Sequence, residues 1–103
     1  MIKLLFALCG IVAVTACAGT PPKKEYARAV MAVTAAQDVD AKVHAPIDFE
    51  KSEKYLRLSQ TAMYERLFSK AAEYALLAQQ YAEKAEVQSL TRKQQSDFVI
   101  HEP

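Results

Sequence analysis

A chain of 103 residues with thirteen Lys/Arg and twelve Asp/Glu has room for one small domain with a modest core. With Lys3 set aside, the remaining cations balance the acids. That excludes the basic surplus a nucleic-acid binder needs and gives no electrostatic reason to lie flat on anionic lipid. The only glycines, Gly10 and Gly19, both precede residue 20, so the body holds no Gly-rich loop to cradle phosphate.

Residues 1–16 read as an export signal: Lys3 supplies the positive start and Leu4 to Ala16 is uncharged. The apolar run falls short of the ~20 residues a membrane-spanning helix needs. Val14-Thr15-Ala16-Cys17 then resembles the lipobox of bacterial lipoproteins. The resemblance implies a diacylglycerol on the Cys17 thiol, cleavage after Ala16, and an N-acyl chain on the new amino terminus. Each buried CH₂ of such chains is worth about 0.8 kcal/mol, so two or three chains hold far better than one. An ordinary signal peptide cut near Ala16 or Ala18, releasing a soluble periplasmic protein, is the alternative. In the sorting pattern that this resemblance brings with it, Ala18 after the lipidated Cys implies the outer membrane, with the body facing the periplasm. Cys9 would leave with the signal and Cys17 would be acylated, so no disulfide and no cofactor beyond the covalent lipid is expected.

Ala18 to Pro22, closing residues 17–22, reads as a short stalk, since two prolines favour extended backbone. A helical domain over residues 23–90 follows, all-α, in three helices. The first is predicted from about Lys23 to Val43: Ala29, Ala32, Ala36, Val39 and Val43 recur at helical spacing, widened by Val30 and Val33. Pro46 disfavours helix at Ala45 and marks a connection. Asp48 is then a plausible N-cap, with Pro46 as first helical residue the alternative. The second helix is predicted from about Asp48 to Arg66, with Phe49, Ser52, Leu56, Ser59 and Met63 on one face and Tyr55, Leu58 and Ala62 beside them.

The third helix, from about Ser69 to Leu90, has the most regular pattern. Ala71, Ala75, Ala78, Ala82 and Ala85 alternate steps of four and three, flanked by Tyr74, Leu77 and Tyr81. Arg92 and Lys93 suit its C-terminal end, where the helix dipole favours cations. No Gly or Pro forces a turn between Tyr64 and Ser69, so one continuous helix stands as an alternative to the preferred hairpin. The tail, residues 91–103, is polar apart from Phe98-Val99-Ile100. Docking on the helices, contact with a partner, and disorder are all open to it.

Two resemblances cover the body. Tyr55, Leu58, Ser59, Ala62, Phe68, Ala71, Ala75 and Ala78 make residues 52–85 similar to one degenerate tetratricopeptide unit. Arg66 stands in for the small turn residue and Glu83 for the closing proline. Such repeats stack in about three or more copies, and a single copy implies a hairpin and not a peptide-binding array. More broadly, Ala45-Pro46 followed by the Tyr/Leu/Ala hairpin resembles short, Ala-rich helical lipoproteins of bacteria that carry a domain of unknown function. Members usually have a Gly-Asp type turn where this chain has Arg66-Leu67. That resemblance implies an envelope-located helical domain and names no activity.

Little here speaks for catalysis. Asp40 and His44 are spaced to share a helix face, but two ligands do not make a zinc site. Ser52, Ser59 and Ser69 lie in no motif that supplies a base. The acids alternate with Lys, Arg and Gln on helix exteriors. The expected role is a non-catalytic binding or accessory module, neither enzyme nor metalloprotein, held to the membrane by its lipid. Tyr74, Leu77 and Tyr81 form the candidate interaction surface for an envelope protein or peptidoglycan, with core packing as the blander account of the same stripe. A self-associating, Ala-rich spacer between membrane and cell wall is the alternative, and an accessory subunit of an envelope enzyme a third.

Overall fold

The computed structural model describes the backbone of residues 19–101 and the side chains of residues 19–97. The signal, the lipobox residues Val14, Thr15 and Ala16, and Cys17 lie outside the described residues. The described chain is all-helical: α1 (Lys23–Asp38), a four-residue α2 (Ala41–His44), α3 (Pro46–Tyr64) and α4 (Phe68–His101). α4 is the central element, and both α1 and α3 pack along it. The Tyr74-bearing helix α4 and α3 form an antiparallel hairpin, while α1 runs parallel to α4 on its other flank.

Contacts fix these directions. Ser59 of α3 donates to the Ala71 carbonyl near the start of α4 (2.8 Å), and Asp48 near the start of α3 faces Lys84 further along α4 (3.9 Å). Moving up α3 therefore means moving down α4. Ala29 shares a buried cluster with Ala75 and Ala78, and Val33 and Ala36 share one with Ala82 and Ala85, so α1 climbs with α4.

The seam of α4 is a ladder of small residues. Ala71, Ala75, Ala78, Ala82, Ala85 and then Ser89 are all fully buried. Steps of four and three average 3.5 residues, the period that keeps one stripe facing its neighbours in left-handed helix packing. Small side chains allow close approach but bury little apolar area each. Phe49 is the large exception, 2% exposed, and it fills the cluster where α1, α2, α3 and α4 meet. The buried serines make this polar ladder tolerable, because each hydroxyl has an acceptor: Ser52 donates to the Phe49 carbonyl (2.6 Å), Ser59 to Ala71, and Ser89 to the Val39 carbonyl.

Four boundaries differ from the periodicity-based reading. The first helix stops at Asp38, not Val43. Asp40 takes a left-handed conformation (φ 57°), which an Asp tolerates better than most residues. Val43, placed on the buried stripe by a continuous helix, is instead 74% exposed. Asp48 does not cap the second helix. Pro46 is its first residue, with Ala45 before it, and Asp48 sits inside the first turn facing Lys84. The third helix runs on through the predicted tail to His101. Residues 47–102 contain neither Gly nor Pro, so nothing local stops it at Leu90. Finally, the stalk is not free of the body. Pro22 is buried, and Gly19, in the positive-φ region at 71°, turns the chain onto Phe68.

The hairpin turn is sharp although it lacks glycine. Arg66 has φ 62°; its N–H donates to the Met63 carbonyl (3.1 Å), and the Leu67 N–H donates to the Ala62 carbonyl (2.8 Å). This is the Schellman arrangement, with arginine where glycine is usual. The left-handed conformation costs a non-glycine residue about 1–2 kcal/mol, while glycine loses roughly 0.5–1 kcal/mol more chain entropy on ordering than alanine does. Arg66→Gly is therefore expected to raise stability by about 0.5–1 kcal/mol, read as a higher midpoint in a thermal melt followed by circular dichroism. A lower midpoint would show that the arginine side chain, and not its backbone, sets the energy of the turn.

Candidate interaction surface

Tyr74 and Tyr81 are one heptad apart on α4 and emerge on the same flank, facing α3. Tyr55 of α3 inserts between them. Its ring stacks on Tyr74 at 6.2 Å and 24°, and on Tyr81 at 5.6 Å and 9°. All three rings are half-buried, as is Leu77 between the two α4 tyrosines. Thus the structure brings Tyr74 and Tyr81 together only through a third ring that the sequence reading assigned to helix support. Tyr55 also packs against the Ala29, Ala75 and Ala78 cluster. The stack is therefore partly core and partly surface.

Lysines line the outer side of the stack. The Nζ atoms of Lys51, Lys54 and Lys70 lie 5.3, 6.0 and 5.9 Å from the centroids of Tyr81, Tyr55 and Tyr74 respectively. At such exposed sites each cation–π contact is worth about 0.5–1 kcal/mol. Lys70 is also 3.9 Å from Glu73, an exposed pair that stabilises by at most about 1 kcal/mol. Flat aromatic edges rimmed by ammonium groups suit a ligand with ring faces or carboxylates.

At the far end of the bundle, α4 reaches the Asp40 carboxylate and the His44 backbone. Asp40 forms an ion pair with Lys93 at 3.0 Å, and the His44 carbonyl accepts from Arg92. Asp40 lies in the turn before α2, so it does not share a helix face with His44. Arg92 and Lys93 thereby clamp the α1–α3 connection instead of ending α4. Among the described residues no three His, Cys, Asp or Glu side chains gather as a metal site. No described helix is long and apolar enough to cross a membrane.

The architecture is a small antiparallel helical domain that presents an aromatic and cationic flank. Residues 24–98 match the family described as a domain of unknown function, DUF4398. The match covers most of the chain, and the chain belongs to that family. No curated protein and no solved structure matches it.

Proposed function

We propose that this chain is an outer-membrane lipoprotein, anchored by acyl chains on Cys17 and facing the periplasm, whose helical body binds an envelope partner without catalysis. The observation that carries the binding part is the burial of the whole alanine ladder within the chain's own bundle. A spacer built by self-association would need that ladder free to meet other copies. The tyrosine and lysine flank stays partly open, and its chemistry suits an envelope protein or the sugar rings and carboxylates of peptidoglycan. The α3–α4 hairpin then serves as a single tetratricopeptide-like unit, a scaffold for one flank and not part of an array.

Two measurements test this reading. Cys17→Ser should move the full-length protein from the membrane pellet to the soluble periplasmic fraction; a variant that stays in the membrane removes the lipid anchor from the account. A photo-crosslinking residue placed at Lys51 or Leu77 in cells should give a discrete adduct with a partner. The same residue at Met31, on the exposed outer side of α1, should not. Adducts only with further copies of this chain would favour the self-associating spacer.

A further inference from the structure

The end of the bundle where the body begins carries exposed apolar side chains that the core does not use. Tyr64, the last residue of α3, is 91% exposed, and Leu67, which leads into α4, is 52% exposed. They flank the sharp turn at Arg66. The residues after the proposed anchor reach this same place. Gly19, Thr20, Pro21 and Pro22 line one shallow groove with Phe68, Ser69 and Ala72, and a Cβ on Gly19 would sit 4.0 Å from the Phe68 ring.

Chain connectivity then limits where the membrane lies. One residue, Ala18, separates Cys17 from Gly19, and the two steps between them reach about 7 Å at full extension. A lipid on Cys17 holds the α3–α4 turn against the bilayer surface, because Gly19 is itself against Phe68. We propose that this turn, with Tyr64 and Leu67 at its crest, is a second membrane contact seated in the lipid headgroup layer. The proposal rests on the reading of Cys17 as the anchor.

Side-chain chemistry agrees with this occupant. Tyrosine has an apolar ring and a polar tip, and is favoured where one end is dry and the other wet. Arg66 and Lys70 flank the turn in sequence, and Lys23 and Lys24 start α1, whose N-cap Pro22 and first-turn Glu25 line the groove with Phe68. These four cations outnumber Glu25, Glu65 and Glu73, and all seven are exposed. A cation near an anionic lipid surface gains about 1 kcal/mol. The contact would fix the bundle upright, with its tyrosine and lysine flank turned sideways towards the periplasm and its Val39–Ala45 end outward. That end is distant: Ser89, which bonds Val39, lies about 30 Å along α4 from Phe68 at 1.5 Å per residue.

The chain has no tryptophan, so a single one reports cleanly. Full-length lipidated protein carrying Tyr64→Trp, Leu67→Trp or Val43→Trp would be reconstituted into phosphatidylethanolamine and phosphatidylglycerol vesicles with brominated acyl chains. Intact-mass measurement on each sample checks the lipid on Cys17. The expected result is a blue-shifted emission and loss of most fluorescence for Trp at positions 64 and 67, with none at position 43. Lipidated protein whose three reporters all stay unquenched overturns the second contact and leaves the anchor standing. Equal quenching at all three positions means a body lying flat, and also overturns it. Protein that carries no lipid on Cys17 overturns both readings together.

Discussion

Replacing Phe49 with alanine is expected to remove most of the stability of the domain. Among the described residues Phe49 is the only large apolar side chain that is almost completely buried; the rest of the core is mainly Ala, with Val33. It touches the cluster in which Val33 and Ala36 of α1, Ala41 and Ala45 of the connection, and Ala82 and Ala85 of α4 come together. Truncating such a Phe costs about 3–5 kcal/mol, because the transfer energy is lost and a cavity is left. Alanine neighbours have no long side chains that could swing in and fill it. Small domains hold about 5–15 kcal/mol in total, this one towards the low end given its thin core. The midpoint of thermal unfolding should therefore fall by about 15 °C or more, or the cooperative transition should vanish. Met31→Ala, at an exposed site on α1, should change stability by less than about 0.5 kcal/mol and serves as the control. A cooperative Phe49→Ala melt close to that of the parent would show that the four elements do not converge on this ring.

Enlarging the seam should hurt almost as much as emptying the core. Ala78 is fully buried in a cluster with Ala29 of α1 and Ala75, and Tyr55 and Leu56 of α3 pack on it. Leucine has nearly the helix propensity of alanine and is more apolar. On an exposed face the change would be close to neutral. Inside the seam, the extra carbons have no space unless α1 or α3 moves away, and overpacking of this kind costs about 1–3 kcal/mol. Ala78→Leu should lower the melting midpoint by roughly 4–8 °C per kcal/mol lost, while Gln80→Leu on the outer face of α4 leaves it nearly unchanged. A rise in the midpoint for Ala78→Leu would mean that the helices stand further apart than the alanine ladder requires. The same experiment bears on the spacer alternative, since a ladder free for self-association would tolerate leucine and gain from it.

The helical class, the stripes and the connection at Pro46 follow from spacing and composition. Ala71 to Ala85 announce a seam because small apolar residues at alternating steps of four and three can lie on only one side of a helix. Phe49, Ser52, Leu56 and Ser59 fall on one face for the same reason. The preference for a hairpin over one continuous helix also holds: a left-handed Arg66 makes the turn, although arginine gives no sign of it in sequence. The end of the first helix was not legible. Val39 and Val43 continue its spacing well, and only a left-handed Asp40, held by Lys93 from a distant part of the chain, breaks it. Asp48 looked like a cap because capping residues and buried, paired acids are chemically alike until the partner, here Lys84, is known.

For the candidate surface, the sequence places Tyr74, Leu77 and Tyr81 on one flank of a helix. It does not reveal whether that flank is wet, nor that Tyr55 divides the two α4 tyrosines. That depends on the register between α3 and α4, a relation between residues about twenty positions apart, set by where the turn falls and by how closely the alanines let the backbones approach. In the same way, the stalk prolines mark extended backbone but not its docking on Phe68. Local spacing determined the helices and their apolar stripes, because both depend on neighbours within a turn or two. The pairing of helices, the rings brought into one stack and the end of the bundle nearest residue 19 were decided only when distant segments packed, since each depends on register and close approach that no short stretch encodes.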